Sequence, residues 1–395
     1  MSGLARQAVA WHARHRFLWS FAVLSLFMGV SVGLAKVTTS LYAMQLGASG
    51  WWLGAIASAQ SLGILITALP VGVWVERFGP RRLFMAGSLA GGLLYAVLPL
   101  VPHAAFLLGM TVLTGLVMPT RFVSLQTIFM GMLQQIGPSN AGWQRAAHMS
   151  GMLLLGPLIT ASVIAHLGHA GSYWLVALMF LLTVALSQRV LGQPLPSPTA
   201  PISPRPPGIR ASMAQVLAHP QARRLALTEA CVQSLNMYHA FFIVVIAVQD
   251  LHVPAAAAGS LVAVQGAAFI LALLALGSPI QRLGRHATPA GAALAALGCV
   301  ALGAADGLPL LLVGSALLGL GLGTIEVQVL GRMAALGARL GQGRMAGLNA
   351  IAGPGGALLG GLLGGSFGAW AGLQAGFLLC APLMLLVARA AAREN

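Results

Sequence analysis

Twelve apolar stretches follow one another along this chain, and each is long enough to cross a bilayer. They lie at about 17–46, 51–75, 83–102, 104–133, 143–168 and 170–190, then at about 223–250, 254–280, 286–305, 307–331, 344–367 and 370–389. Roughly 20 apolar residues span the hydrocarbon core as a helix. In lipid a backbone must satisfy its own hydrogen bonds, which helices do. The expectation is an all-α polytopic membrane protein of twelve transmembrane helices, called segments 1–12 below. Composition agrees: 58% of the residues are hydrophobic and 7% charged, against about 25% charged in a soluble domain.

Between segments 6 and 7 lies a Pro- and Ser-containing stretch that reads as an extended linker. The boundaries are then 1–190 for a first six-helix half, 191–221 for the linker and 222–395 for a second half. The halves repeat. Gly72-Val-Trp-Val-Glu76-Arg77-Phe-Gly79-Pro80-Arg81-Arg82 has a second copy at Gly277-Ser-Pro-Ile-Gln281-Arg282-Leu-Gly284-Arg285-His286. At the same offset Gln60 in segment 2 falls on Gln265 in segment 8. Gly115 to Thr120 matches Gly319 to Thr324, and Gly156-Pro157 in segment 5 recurs as Gly353-Pro354 in segment 11. Parallel six-helix repeats are a known transporter plan.

The formal charge of +15 points to nucleic acid in a soluble protein; here it marks topology. With the N-terminus inside and every segment crossing, all basic residues except Lys36 and Arg121 fall on cytoplasmic stretches or helix ends. The outer loops hold none. The positive-inside bias therefore places both termini in the cytoplasm, and the expected location is a bacterial inner membrane. Residues 1–16 are basic, and the run that follows lacks a small-residue cleavage site, so segment 1 reads as retained. Cys231, Cys299 and Cys380 show no ligand or disulfide spacing. No Gly-x-x-x-x-Gly-Lys-Ser/Thr loop occurs, so ATP is not the expected driver.

Six plus six helices, a long central linker and paired basic turns resemble the major facilitator superfamily (MFS), and the resemblance covers nearly the whole chain. Gly72, Arg77, Gly79, Arg81 and Arg82 match the family's turn motif. Glu76 stands where that motif has Asp, and Pro80 is inserted in its basic end. The resemblance implies that this loop braces the outward-open state. Gly156-Pro157 resembles a motif of the superfamily's proton-coupled antiporters, with Thr160-Ala161 in place of Gly-Gly; Gly353-Pro354-Gly355-Gly356 is a fuller version. The resemblance further implies a monomer without a cofactor, whose segments 1, 4, 7 and 10 line a central cavity and whose halves rock in alternating access.

Each of those four segments carries one ionisable residue: Lys36, Arg121, Glu229 and Glu326. A charge at the bilayer centre costs about 2.5–3.5 kcal/mol on insertion scales and faces a cavity or a partner. Arg121 and Glu326 lie at similar depth, so they are expected to pair and gate. A carboxylate in a low-dielectric cavity can carry a proton, which makes Glu326 the first candidate coupling site and Glu229 the second. The plainer alternatives are a structural Arg121–Glu326 pair, Glu229 paired with Arg223 or Arg224, and Lys36 snorkelling to headgroups. Glu229, Gln233 and Asn236 share a helix face, and Tyr238 and His239 adjoin it. Lys36, Gln60, Gln233, Asn236, His239 and Gln265 are the substrate-contact candidates, with interhelical hydrogen bonding as the alternative. Gln126 and His148 are further polar positions. Asp250 and Asp306 are expected to be solvated, and Trp51 and Trp52 to anchor at the interface.

These readings lead to a secondary transporter, not an enzyme, coupled to protons and exporting a drug, siderophore or metabolite. The alternative is proton-coupled import of an anionic, carboxylate-bearing solute or siderophore. A transporter-shaped receptor or lipid flippase is the third reading. The expected partners are a small molecule, protons and the bilayer, with no nucleic acid and no metal.

Overall fold

The computed structural model describes residues 3–47, 50–190, 209–253 and 255–392. All twelve expected segments are helical. Helix α1 is Gly3–Gln45, α2 Gly50–Phe78, α3 Pro80–Val97 and α4 Ala104–Ile136. Helix α5 starts as Trp143–Ser150, passes through a π turn at Gly151–Leu155 and enters the helix Gly156–Val190. That helix breaks at Gly168, where φ is 67° and ψ −176°. The part before the break completes α5; the part after it is α6. In the second half, α7 is Pro220–Val245, α8 Ala255–Ala275, α9 Ala287–Gly303, α10 Leu308–Leu340, α11 Gln342–Ala371 and α12 Leu373–Ala392. A π turn, Ile246–Asp250, extends α7, and a short helix, Gly277–Leu283, precedes α9. Among the described residues eight helices have the length and hydropathy of a bilayer span.

The linker expectation falls largely on 191–208, outside the described residues. Its end, expected to be extended, is helical at Ile209–Ala218. Past Pro207 the chain turns to Ala, Met, Gln and Leu, which favour helix. Pro220 then opens α7 after an extended His219, as suits a residue with a fixed φ and no N–H to leave unsatisfied. Pro80 opens α3 in the same way, which accounts for the insertion in the basic turn. The side chains of Trp51 and Trp52 lie outside the described part.

The turn skeleton shows the repeat more plainly than the motifs do. Residues with positive φ come in four pairs: Gly47 with His252, Gly79 with Gly284, Gly137 with Gly341 and Gly168 with Gly372. The separations are 205, 205, 204 and 204 residues. Gly79, at φ 86°, needs the freedom that only glycine has there. His252, at φ 56°, is the non-glycine member of the set.

The chain forms two compact units. Unit 1 comprises Met1–Ile136, Trp143–Ala214 and Gly337–Ala350; unit 2 comprises Gly137–Gly142, Gln215–Leu336 and Ile351–Asn395. Unit 1 thus takes in the α10–α11 turn, and unit 2 the α4–α5 turn. Within each unit, helices meet through glycines that leave no room for a methyl group. In unit 1, Gly115 of α4 lies on the backbone of Gln60 in α2, and Gly151 of α5 on that of Leu26 in α1. In unit 2, Gly319 of α10 lies on Gln265 of α8, and Gly356 of α11 on Ala230 of α7. Close backbone approach at small residues is how membrane helices gain contact without a hydrophobic driving force.

Those contacts set the register of the repeat. Gln60 and Gly115 in one unit answer to Gln265 and Gly319 in the other, as expected. The Gly-Pro pairs do not answer to each other. Gly151 aligns with Gly356, so Pro354 falls about two helical turns before the place of Pro157. The motif recurs at a different depth and about 80° around the helix.

Candidate functional site

Unit 2 gathers its two membrane-embedded acids around one amide. Gln233 Nε2 donates to Glu229 Oε1 at 3.0 Å and reaches Glu326 Oε2 at 3.5 Å. Glu229 and Gln233 are four residues apart on α7, so they stack on one face; α10 brings Glu326 to them. Both carboxylates are fully buried. Gly353 of α11 stands beside Glu229, where a Cβ would just touch the carboxylate. Both acids thus meet Gln233 within unit 2.

The same face of α7 continues upward. Gln265 of α8 donates to Asn236 Oδ1 at 2.6 Å, and His239 Nε2 meets Ser315 Oγ of α10 at 2.9 Å. Tyr238 turns away and donates to the carbonyl of Leu373 at 2.6 Å. Gln233, His239 and Gln265 are buried, and Asn236 is half-buried. Asp250 and Asp306 are exposed, as expected.

Unit 1 holds its embedded cation differently. Arg121 is fully buried. Its Nε donates to Ser88 Oγ of α3 at 3.1 Å and its Nη2 to Thr183 Oγ1 of α6 at 3.0 Å. The guanidinium carbon lies 3.6 Å from the centroid of the Phe180 ring and 5.9 Å from that of Phe84. Hydroxyls and aromatic faces replace a carboxylate. The register explains why. Thr120 packs on Gly87 and Thr324 on Gly291, so Arg121 is equivalent to Ile325, and Glu326 to Phe122. One residue turns a side chain about 100° around the helix axis. Each of the two groups has partners inside its own unit: Arg121 has Ser88 and Thr183, and Glu326 has Gln233. Phe122, at the place equivalent to Glu326, packs edge-on against the buried His148 at 5.0 Å.

The other expected residues of unit 1 are more accessible. Lys36 is exposed and Gln60 half-buried; the Tyr95 hydroxyl is bonded to Thr114 and Gln60. At the basic turn, Glu76 Oε1 accepts the backbone N–H of Arg344 at 2.9 Å, and Oε2 lies 3.0 Å from Arg344 Nε. Arg344 is in the first turn of α11, whose free N–H groups and positive dipole end attract an anion. Gly72 lets this start of α11 approach: its backbone touches that of Gly343. Arg81 and Arg82 are exposed on the first turn of α3. In the second copy, Gly277 lies on the backbone of Ser139, and Gln281 brings no charge. Gly156 packs on Gly33 of α1. Pro157 follows the π turn in which Gly156 N–H bonds the carbonyl of Gly151; lacking an N–H, Pro157 cannot restore the α pattern there.

Ser88, Thr183, Phe180, Ser315 and Arg344 were not legible as site residues, since each gains meaning only from a helix far away in sequence. Two surface grooves, one of about 470 Å³ beside Leu89, Leu181, Leu182 and Gln188 and one of about 510 Å³ along Ala105–Leu113, are lined mainly by apolar residues and include none of these polar groups.

Comparison with known proteins settles the class. A family model described as Major Facilitator Superfamily matches residues 17–228 and again 225–393. The chain belongs to the major facilitator superfamily and is a multi-pass membrane transporter. Its fold is similar to that of the E. coli fucose:proton symporter FucP, with a TM-score of 0.76 at 15% identity, over 95% of this chain and 98% of that one. It is similar also to the human organic anion transporter MFSD10 (TETRAN), with a TM-score of 0.74 at 17% identity, over 96% and 99%. A structure of FucP in the outward conformation gives 0.74 at 16% identity, over 94% and 98%. At such identities the likeness is one of fold. No curated protein sequence matches this chain.

Proposed function

We propose that this protein is a proton-coupled secondary transporter that exports a small molecule, with Glu326 and Glu229 holding the coupling proton. One observation carries the proposal: a single buried amide, Gln233 Nε2, lies within 3.5 Å of both carboxylates. Two like charges on one donor repel each other, and a proton on either acid relieves the repulsion.

Burial sorts the remaining candidates. A substrate cannot reach Glu229, Glu326 or His239, whose exposure is nil, whereas a proton can travel along hydrogen bonds. Lys36, Gln60 and Asn236 keep accessible surface and are the substrate contacts in this reading. Arg121, locked among Ser88, Thr183 and Phe180, holds α3, α4 and α6 together. The Glu76–Arg344 brace breaks and reforms in each cycle, and the arginine-rich turns face the cytoplasm, as do both termini.

Export is supported by the glycine contacts of α5 on α1 around Gly156-Pro157, the place of the antiporter-like motif. The exposed Lys36 supports a second reading, uptake of a carboxylate-bearing solute, in keeping with an organic anion transporter among the similar folds. Everted vesicles with an imposed pH gradient separate the two. Cationic dyes that move protons, in a manner lost with Glu326→Gln, support export. A response to carboxylates alone replaces export by uptake. A response indifferent to Glu326→Gln and Glu229→Gln removes the acid pair from the mechanism.

A further inference from the structure

We propose that His239 is a proton-relay residue feeding the Glu229–Gln233–Glu326 group from the far end of α7; the proposal rests on the reading of that group as the proton site. The polar positions of α7, at 229, 233, 236 and 239, step by four, three and three residues and so form one stripe. Each is joined to a neighbouring helix or to the next member of the stripe: Glu326 of α10 at the lower end, Gln265 of α8 in the middle, Ser315 of α10 at the upper end. Ten residues of helix rise about 15 Å, half of a hydrocarbon core. The column thus leads from the acids toward the opposite end of the helix.

His239 is the one member between the acids and that end that can both take and give a proton. Its side chain is fully buried. Nε2 faces Ser315 at 2.9 Å, while Nδ1 is buried without a hydrogen-bond partner. A ring with one nitrogen engaged and the other open can accept a proton on the open nitrogen and release the one held on the engaged nitrogen. One proton enters and one leaves, and no electrons move. The ring also packs against Phe377 of α12, 6.2 Å between centroids. The titratable groups on the helices of this unit are Glu326 on α10, Glu229 and Tyr238 on α7, Cys299 on α9 and Cys380 on α12; α8 carries the neutral Gln265. The amides of Asn236, Gln265 and Gln233 do not pass protons themselves; in this proposal they line the roughly 15 Å of helix between His239 and Glu229, which the proton crosses through water. A plain interhelical hydrogen bond would leave no use for a buried, open ring nitrogen at the head of a polar column.

The test needs no identified substrate. In the full-length protein in proteoliposomes, the infrared band of a protonated, buried carboxylic acid is followed after a rapid drop in pH. Glu326→Gln and Glu229→Gln establish whether the band belongs to the acid pair; if neither changes it, the acid-pair reading fails and this proposal with it. If the band is theirs, His239→Gln keeps its final amplitude but slows its rise by about tenfold or more. His239→Ala is slowed likewise, and imidazole in the buffer restores the rate. Ser315→Ala, which keeps the ring, slows the rise less than either. An unchanged rate in folded His239→Gln, or a slow His239→Ala that imidazole does not restore, overturns the relay while leaving the acid pair standing.

Discussion

Unit 1 and unit 2 share a turn skeleton and the same glycine contacts, yet they treat an embedded charge in opposite ways. Unit 1 encloses a cation in hydroxyls and rings: Arg121 with Ser88, Thr183 and Phe180. Unit 2 encloses two acids around an amide. The two charges sit on equivalent helices one residue out of step, and that residue decides everything about their partners. Arg121 is turned toward α3 and α6, and Glu326 toward α7. Held by hydroxyls and rings, Arg121 ties α3, α4 and α6 together. Two acids on one donor can gain and lose a proton. In the proposed reading, the same scaffold makes one half a frame and the other the proton-bearing element.

This contrast can be broken at several points. The largest effect is expected from Glu326→Gln, which should abolish proton-driven transport in vesicles while leaving thermal unfolding of the purified protein nearly unchanged. Gly115→Val and Gly319→Val should both sharply reduce folded yield, because each puts a side chain into the backbone of Gln60 or Gln265. Unequal losses there would show that the two units do not pack alike. Arg121→Lys keeps the charge but cannot serve Ser88 and Thr183 with a planar fork; about 1–3 kcal/mol of stability should be lost, read as a lower melting temperature. If the same variant instead shifts the pH profile of transport with stability intact, unit 1 is not merely a frame. Glu76→Gln removes the charge facing Arg344 and should weaken transport more than Gln281→Ala; equal effects would reduce both turns to topological markers. The smallest effect is expected at His252, where His252→Gly relieves a left-handed backbone and should raise stability by up to about 1 kcal/mol.

Much of the architecture was legible because bilayer physics writes it in plain form. Span length and the repeat of Gln60 with Gln265 and Gly115 with Gly319 come from local composition and spacing. What stayed hidden was rotation. At an offset of 205 Arg121 falls on Glu326, whereas the match of Gly115–Thr120 with Gly319–Thr324 runs at 204, and the contacts of Thr120 with Gly87 and of Thr324 with Gly291 follow that register. The two Gly-Pro pairs misled for a related reason: they carry the same residues at places that differ by about two turns along the helix and about 80° around it. Gln233 was legible as a neighbour of Glu229, through its four-residue spacing. Its role as the bridge to Glu326 depends on α10 and has no local signal.

The central claim is that a proton resides in unit 2 on the Glu229–Gln233–Glu326 group. Infrared difference spectroscopy of the purified protein in lipid, between acidic and alkaline buffer, measures this directly. The account predicts a titrating band from a buried carboxylic acid that is lost or shifted in both Glu326→Gln and Glu229→Gln and persists in Glu76→Gln. A band that survives both substitutions unchanged would contradict it.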